Sequence, residues 1–165
     1  MTNLKITIAC HGNIVRSQVL HRYLERVLES RDVQADLYSC GIAPLEAYPN
    51  ADALLRDVQG TLNERGFTVV LKRTAWGSEA AKRVEESDLV LVADNVIRGE
   101  ILSRVDVAPD KVFSFYEFIG EGQRDYVDTY NHDQGRQDAD RYHQAFDELG
   151  RIASIVADRI TTMMT

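Results

Sequence analysis

The stretch that most constrains the fold lies near the start of the chain, where an apolar segment leads directly into a short polar loop. Residues 4–9 read Leu-Lys-Ile-Thr-Ile-Ala, a β-branched run that predicts a buried strand. Cys10 follows, Arg16 stands six positions later, and an amphipathic helix pattern begins near Ser17. A strand, a short loop and a helix N-terminus in this order predict an anion site, because loop amides and the helix dipole both favour negative charge.

Each polar position of this loop has a chemical use if the anion is a phosphate group. Cys10 would lie at the base of the loop as a thiolate nucleophile, and Arg16 would hold two phosphate oxygens through its planar guanidinium. Gly12 permits close backbone approach, and Asn13 tolerates the left-handed region. Ser17 would cap the helix and offer its hydroxyl to the thiolate. The alternative, a buried structural thiol, does not explain why these residue types occur together.

The eight residues from Cys10 to Ser17 read Cys-His-Gly-Asn-Ile-Val-Arg-Ser. They resemble the phosphate-binding loop of the low-molecular-weight protein tyrosine phosphatases, whose pattern is Cys-x-Gly-Asn-x-Cys-Arg-Ser-Pro. Val15 stands where the family has a second, protective cysteine, and Gln18 stands where it has proline. Neither change removes a group that performs chemistry. The phosphate-binding residues implied by the resemblance are His11, Gly12, Asn13, Ile14, Val15, Arg16 and Ser17.

The rest of the chain alternates between strand and helix patterns. Further strands are predicted at 35–39, 88–93 and 111–115, and helices at 17–29, 50–65, 78–86, 95–105 and 137–162. This alternation predicts an α/β fold, a four-stranded parallel sheet with helices on both faces. The resemblance implies the same architecture, of the phosphotyrosine phosphatase I type, in one domain over residues 1–165. Ligands of such sheets bind at the carboxyl ends of the strands, where Cys10 would lie.

Composition argues against several functional classes. A net charge of −7 argues against nucleic acid as a partner, and two cysteines fit a reducing compartment better than a disulfide framework. There is neither a signal-peptide pattern nor an apolar run of membrane-spanning length, so we expect a cytoplasmic protein that does not associate with membranes. The four histidines lack the spacing of a metal site, and we expect no metal and no cofactor. We expect a monomer or weak dimer.

Hydrolysis of a phosphate ester at neutral pH also needs a group that protonates the leaving oxygen, and a carboxyl in a partly desolvated cleft can supply it. The family has an Asp-Pro-Tyr or Asp-Pro-Phe element shortly before its last helix. Asp128-Thr129-Tyr130 resembles that element, which implies Asp128 as the general acid. Threonine in place of proline loosens the backbone, and extra residues separate this aspartate from the helix. Asp125 and Asp133 therefore remain alternatives.

Several other residues have two interpretations. The tyrosines that could wall the entrance and stack on an aryl ring are Tyr48, Tyr126 and Tyr130, although exposed loop tyrosines are common. Cys40 is either a small core residue or a resolving thiol within disulfide reach of Cys10. Asp94 either caps the helix that follows it or serves as the acidic residue that the family often has there. Residues 72–75, Lys-Arg-Thr-Ala, match the family's His-x-Ala-Arg poorly.

The sequence therefore predicts a phosphatase that works through a cysteinyl-phosphate and takes a tyrosine-phosphorylated protein as its partner. A cysteine at the base of a deep loop reaches a long aryl phosphate more readily than a short serine phosphate. Some family members act on phosphoarginine and carry threonine where this chain has Ile14, which favours phosphotyrosine. The alternatives are an arsenate reductase of the same fold that uses an external thiol, a phosphate-binding module without turnover, and a purely structural domain.

Overall fold

A computed structural model describes residues 3–122, 124–126 and 139–164, with side chains described throughout except at 139–142. The strands are β1 (Leu4–Cys10), β2 (Ala35–Gly41), β3 (Leu89–Val92) and β4 (Val112–Ser114). The helices are α1 (Arg16–Ser30), α2 (Ala51–Glu64), α3 (Ser78–Glu86), α4 (Asn95–Arg104), α5 (Phe115–Phe118) and α6 (Ala139–Met163). Single 3₁₀ turns lie at Leu45–Ala47 and Pro109–Lys111.

The four strands form one parallel sheet in the order β2-β1-β3-β4, which confirms the predicted α/β fold. The chain passes from β1 to β2 in one direction and then returns across β1 to β3. Because crossovers between parallel strands are right-handed, this reversal places α1 on one face and the connecting helices α2, α3 and α4 on the other. The strand order thus reverses at β1, and Cys10, at the carboxyl end of that strand, lies at the position where such sheets bind ligands.

The core lies between the sheet and its helices. β1 and β3 contribute fully buried aliphatic residues, and α1 buries a stripe spaced four residues apart at Leu20, Leu24 and Leu28. The longest helix, α6, packs against α1. Its buried side chains include Phe146, Leu149, Ile152, Ala153, Val156 and Ile160. Within the described residues, no helix combines the length and the apolar character needed to cross a membrane.

The predicted elements are present with bounds within two residues, while residues 137 and 138 of the last helix lie outside the described residues. The sequence patterns missed α5, a single turn in which the hydroxyl of Ser114 accepts a bond from Glu117 N. Gly66, with a φ of +90°, follows the C-cap residue Arg65 and ends α2. Asn50 occupies the N-cap position of α2, but its side chain makes no capping hydrogen bond within the described part of the chain.

The start of α1 differs from the prediction. The helix begins at Arg16 with Val15 in the N-cap position, so Ser17 lies inside the first turn and does not cap it. No side chain of the described residues caps this turn. The first amides of a helix lack partners within the helix, so an uncapped first turn can donate them to an anion.

His21 links α1 to β2 in a largely buried position. Its Nδ1 lies 3.0 Å from Ser39 Oγ. Burial, with a smaller contribution from the neighbouring Arg22, lowers the pKa of His21 to about 4. The Glu25 carboxylate, 3.8 Å from Nε2, therefore faces a neutral imidazole at pH 7 and forms no ion pair with it.

We expect the free energy of unfolding to fall as the pH is lowered from 6.5 towards 4. In this range the unfolded chain binds a proton at His21 that the folded chain excludes, which costs about 2 kcal/mol at pH 5. Urea unfolding at pH 7.5 and pH 5 should show this loss in the wild type and a smaller loss in His21→Gln. An equal loss in both proteins would attribute the pH dependence to other groups.

Candidate active site

The loop after β1 surrounds the sulfur of Cys10, which is almost completely buried. Cys10 Sγ lies 3.2 Å from Asn13 N and 3.0 Å from Ser17 Oγ. Asn13 Nδ2 donates to Ser17 Oγ at 2.7 Å, so the Ser17 hydroxyl hydrogen is left to point at the sulfur. Two donors directed at one sulfur stabilise negative charge on it. The predicted contact between Ser17 and the thiol is therefore present, although the predicted helix cap is not.

Asn13 adopts the left-handed conformation predicted for it, with a φ of +56°. This conformation is uncommon outside glycine and needs support from its surroundings. Asn13 is fully buried, and its Oδ1 accepts bonds from Thr74 N at 2.7 Å and from Gln18 Nε2 at 3.1 Å. The local turn is thus held from outside the loop as well as from within it.

Arg16 is the first residue of α1, and its side chain is 10% exposed. Its NH1 group donates to Asp94 Oδ2 at 3.2 Å and to the carbonyl of Tyr126 at 3.4 Å. Asp94 Oδ1 accepts from Ile97 N at 2.9 Å, which confirms the predicted cap of α4. One carboxylate therefore positions both the helix and the guanidinium. The contact with Arg16 was not predicted, because it joins residues far apart in sequence.

Residues 72–74, which we call the strap, lie against the loop. Each residue of the strap makes one hydrogen bond to the loop or to the start of α1. These bonds are Gln18 Nε2 to Lys72 O (2.8 Å), Arg73 Nε to Gly12 O (2.7 Å) and Thr74 N to Asn13 Oδ1 (2.7 Å). Two of the three use strap backbone atoms, which carry no residue-specific signal, so sequence patterns did not reveal this arrangement.

Tyr48 lies at the rim of the loop, while its predicted role in the substrate entrance stays a prediction. Its ring packs against Gly12, where an added Cβ would lie 2.6 Å from a ring carbon. Its hydroxyl lies 2.5 Å from Nδ1 of the exposed His11. The Arg73 guanidinium lies 5.3 Å from the ring centroid and donates to Leu45 O at 2.8 Å. The rim is thus bonded directly to the loop that it borders.

Tyr126 is buried and does not wall the entrance, which corrects the prediction for this residue. Its ring stacks on Tyr116 at 6.3 Å between centroids, and its hydroxyl donates to Ala145 O at 3.3 Å. Its N–H donates to Ala93 O at 2.9 Å, next to the end of β3. Tyr126 therefore contributes its backbone carbonyl to the site, where that oxygen accepts a hydrogen bond from Arg16.

The structure describes only one of the three candidate general acids, Asp125. Asp125 is exposed, and its Oδ1 accepts from Asn95 N at the start of α4 at 2.9 Å. Asp128 and Asp133 lie outside the described residues, as does Tyr130. The assignment of the acid therefore stays a prediction.

A cluster of charged residues attaches the segment before Tyr126 to α6. Arg151 donates to both carboxylate oxygens of Glu121, at 2.6 and 2.9 Å, and Arg124 donates to the same carboxylate at 2.8 Å. These bonds hold the pKa of the Glu121 carboxyl below its usual value, and the bond from Arg151 has the largest effect. Arg151 also contacts Glu148 on its own helix. We call this group the ionic clamp.

Cys40 is fully buried on β2, opposite Ala9 in the register of β1 and β2. Burial raises the pKa of Cys40 to about 12, with a smaller contribution from Cys10. Both cysteines are free thiols. A thiol with such a pKa is protonated at neutral pH and is a poor nucleophile. These observations favour the core interpretation of Cys40 over a resolving thiol.

Gly41 should be required for the shape of the loop. An added Cβ would lie 2.8 Å from His11 O and 2.9 Å from Gly12 C, and backbone atoms cannot easily move away. We expect Gly41→Ala to lower the free energy of unfolding by about 1–3 kcal/mol and to weaken the binding of inorganic phosphate. Urea unfolding and calorimetric titration would measure the two effects.

The matched control is Gly60→Ala, in the interior of α2. An added Cβ at residue 60 meets nothing within 4 Å, so this variant should gain about 0.5–1 kcal/mol and bind phosphate unchanged. If Gly41→Ala behaved like the control, the close packing of Gly41 against the loop would have no energetic consequence.

The fold is similar to that of several solved structures. A YwlE mutant from Bacillus subtilis has a TM-score of 0.79 at 23% identity, over 96% of this chain and 99% of that one. The YwlE arginine phosphatase from Geobacillus stearothermophilus has a TM-score of 0.73 at 21% identity, over 96% and 93%. Vibrio vulnificus Wzb, in complex with benzylphosphonate, has a TM-score of 0.72 at 24% identity, over 96% and 99%.

A comparison with curated proteins found no significant match. The family model described as low molecular weight phosphotyrosine protein phosphatase matches residues 5–162, which include the loop after β1 and all of the sheet except its first residue, Leu4. The chain therefore belongs to the low-molecular-weight phosphotyrosine protein phosphatase family.

Proposed function

We propose that the protein is a protein tyrosine phosphatase that hydrolyses phosphotyrosine through a cysteinyl-phosphate intermediate. The observation that carries the proposal is the buried sulfur of Cys10, with Asn13 N at 3.2 Å and Ser17 Oγ at 3.0 Å, in a loop that ends at Arg16. Such a sulfur suits a group that must attack phosphorus and later leave it. Membership of the family supports phosphatase activity.

The reaction has two displacements at phosphorus. The Cys10 thiolate attacks in line, so that an S–P bond forms while the bond from phosphorus to the phenolic oxygen breaks. Arg16 and the loop amides hold the equatorial oxygens, and Asp128 gives its proton to the departing phenolate. Asp128 then takes a proton from water as the water oxygen attacks phosphorus. The S–P bond breaks, its electron pair returns to sulfur, and phosphate leaves.

The assignment of Asp128 as the acid is supported by the position of Tyr126. The Tyr126 carbonyl contacts Arg16, and its N–H is bonded to Ala93 O. Asp128 follows two residues later, a span of at most about 7 Å of extended chain. Asp125, by contrast, already accepts a bond from the first amide of α4. The geometry around residue 126 therefore favours Asp128 over Asp125.

The test compares hydrolysis of a phosphotyrosine peptide and of p-nitrophenyl phosphate by the wild type and variants. Cys10→Ser should abolish turnover. Asp128→Asn should lower kcat for the peptide by about 10²–10³-fold, and less for p-nitrophenyl phosphate, because nitrophenolate leaves without full protonation. The matched controls Asp125→Asn and Asp133→Asn should retain activity.

Other outcomes would redirect the assignment. A large loss in Asp125→Asn or Asp133→Asn would identify that residue as the acid. A wild type that binds phosphate but hydrolyses neither substrate would refute the phosphatase proposal. It would favour a binding module, or arsenate reduction if added thiol and arsenate gave turnover.

The second candidate substrate is phosphoarginine, because similar structures include arginine phosphatases. Ile14 is fully buried in the loop, where phosphoarginine-specific members carry threonine. We expect kcat/KM of the wild type to be higher for a phosphotyrosine peptide than for a phosphoarginine peptide, and Ile14→Thr to shift the ratio towards phosphoarginine. A wild type that prefers phosphoarginine would overturn the proposed substrate class while leaving the mechanism in place.

A further inference from the structure

Gln18 occupies the position where the family has proline, and the proposed reaction assigns it no part. It is almost completely buried in the first turn of α1, next to the loop. We propose that Gln18 is a positioning residue for the reaction: its side-chain amide fixes Asn13 against the strap and thereby holds the donors that face the Cys10 sulfur. This inference rests on the proposed phosphatase function.

The orientation of the Gln18 amide follows from its neighbours. Nε2 lies 2.8 Å from Lys72 O, 3.1 Å from Asn13 Oδ1 and 3.2 Å from Asn13 O. All three are acceptors, so only the nitrogen end of the amide can face them. The amide has two hydrogens, so one can bond to Lys72 O of the strap and the other can be shared between the two oxygens of Asn13. These three acceptors therefore require a hydrogen-bond donor in the side chain at position 18, which an acid or an aliphatic residue cannot supply.

The opposite end of the same amide indicates that stability alone does not explain the arrangement. Gln18 Oε1 is buried and has no hydrogen-bond partner within the described part of the chain. A buried acceptor without a partner lowers stability. Local costs of this kind are typical of residues whose geometry serves a site.

Gln18 acts on the sulfur through Asn13. The left-handed backbone of Asn13 directs its N–H at Cys10 Sγ, and its Nδ2 orients the Ser17 hydroxyl towards the same atom. Both donors to the sulfur thus depend on one residue. Gln18 bonds to both the main-chain and the side-chain oxygen of that residue. Removing the Gln18 donor should misplace the donors to the thiolate, while Cys10 and Arg16 remain present.

The test uses two substitutions of similar size and a matched control. Gln18→Met keeps the side-chain length and removes the donor, while Gln18→Glu puts acceptor oxygens against three others. The control is Gln59→Met. Gln59 Oε1 accepts from Leu71 N at 2.8 Å, so Gln59 supports the residue before the strap, and within the described part of the chain no hydrogen bond joins it to the loop. Each protein is measured at 25 °C after circular dichroism has shown that it is folded.

We expect kcat for p-nitrophenyl phosphate to fall about tenfold or more in Gln18→Met, and further in Gln18→Glu, with a smaller change in KM. Alkylation of Cys10 by iodoacetate, followed by mass spectrometry, should slow by a similar factor. Gln59→Met should lower the Tm but leave both rates within about twofold of the wild type. Wild-type kcat and alkylation in Gln18→Met would overturn the inference and make Gln18 a packing residue.

The alkylation assay separates this inference from the proposed function. If the wild type hydrolyses no phosphate ester, the proposed function fails, and slower alkylation in Gln18→Met would still show that Gln18 positions the donors to sulfur. If Gln18→Glu does not fold, Gln18→Met decides the question. Equal slowing in Gln59→Met and Gln18→Met would attribute the effect to the strap as a whole and contradict a specific role for Gln18.

Discussion

The left-handed backbone of Asn13 is the feature on which the rest of the site depends. It turns the loop so that a main-chain N–H faces the Cys10 sulfur, and the side chain of the same residue orients Ser17. Such a conformation costs about 1–2 kcal/mol for a residue other than glycine. Bonds from Gln18 and Thr74 to the Asn13 side chain offset this cost in a buried setting. The loop therefore keeps its shape through contacts that come from outside it.

The sheet determines where this loop lies. β1 is central and changes the direction of the strand order, so its carboxyl end opens between helices on opposite faces. Gly41, at the end of the neighbouring strand, lets β2 pass close to the loop backbone, and its N–H donates to Thr74 O in the strap. Asp94, at the end of β3, orients Arg16. The ends of three neighbouring strands thus converge on the loop that surrounds Cys10.

Sequence patterns predicted the features that depend on local chemistry. The bounds of the strands and helices follow from hydrophobic periodicity, the conformation of Asn13 from its residue type, and the cap of α4 from Asp94. The strap and the bond from Arg16 to Asp94 were missed, because each joins residues more than fifty positions apart. Ser17 was wrongly predicted to cap α1, since the helix begins one residue earlier. The role of Asp128 stays a prediction.

The ionic clamp makes the attachment of the segment before Tyr126 to α6 sensitive to the salt concentration. Arg151, Arg124 and Glu121 meet near the protein surface, where dissolved ions screen attraction over about 8–10 Å at physiological ionic strength. The bond from Tyr126 N to Ala93 O and the stacking of Tyr126 on Tyr116 are insensitive to such screening. Two forces of different range therefore hold this segment, and salt concentration weakens only one of them.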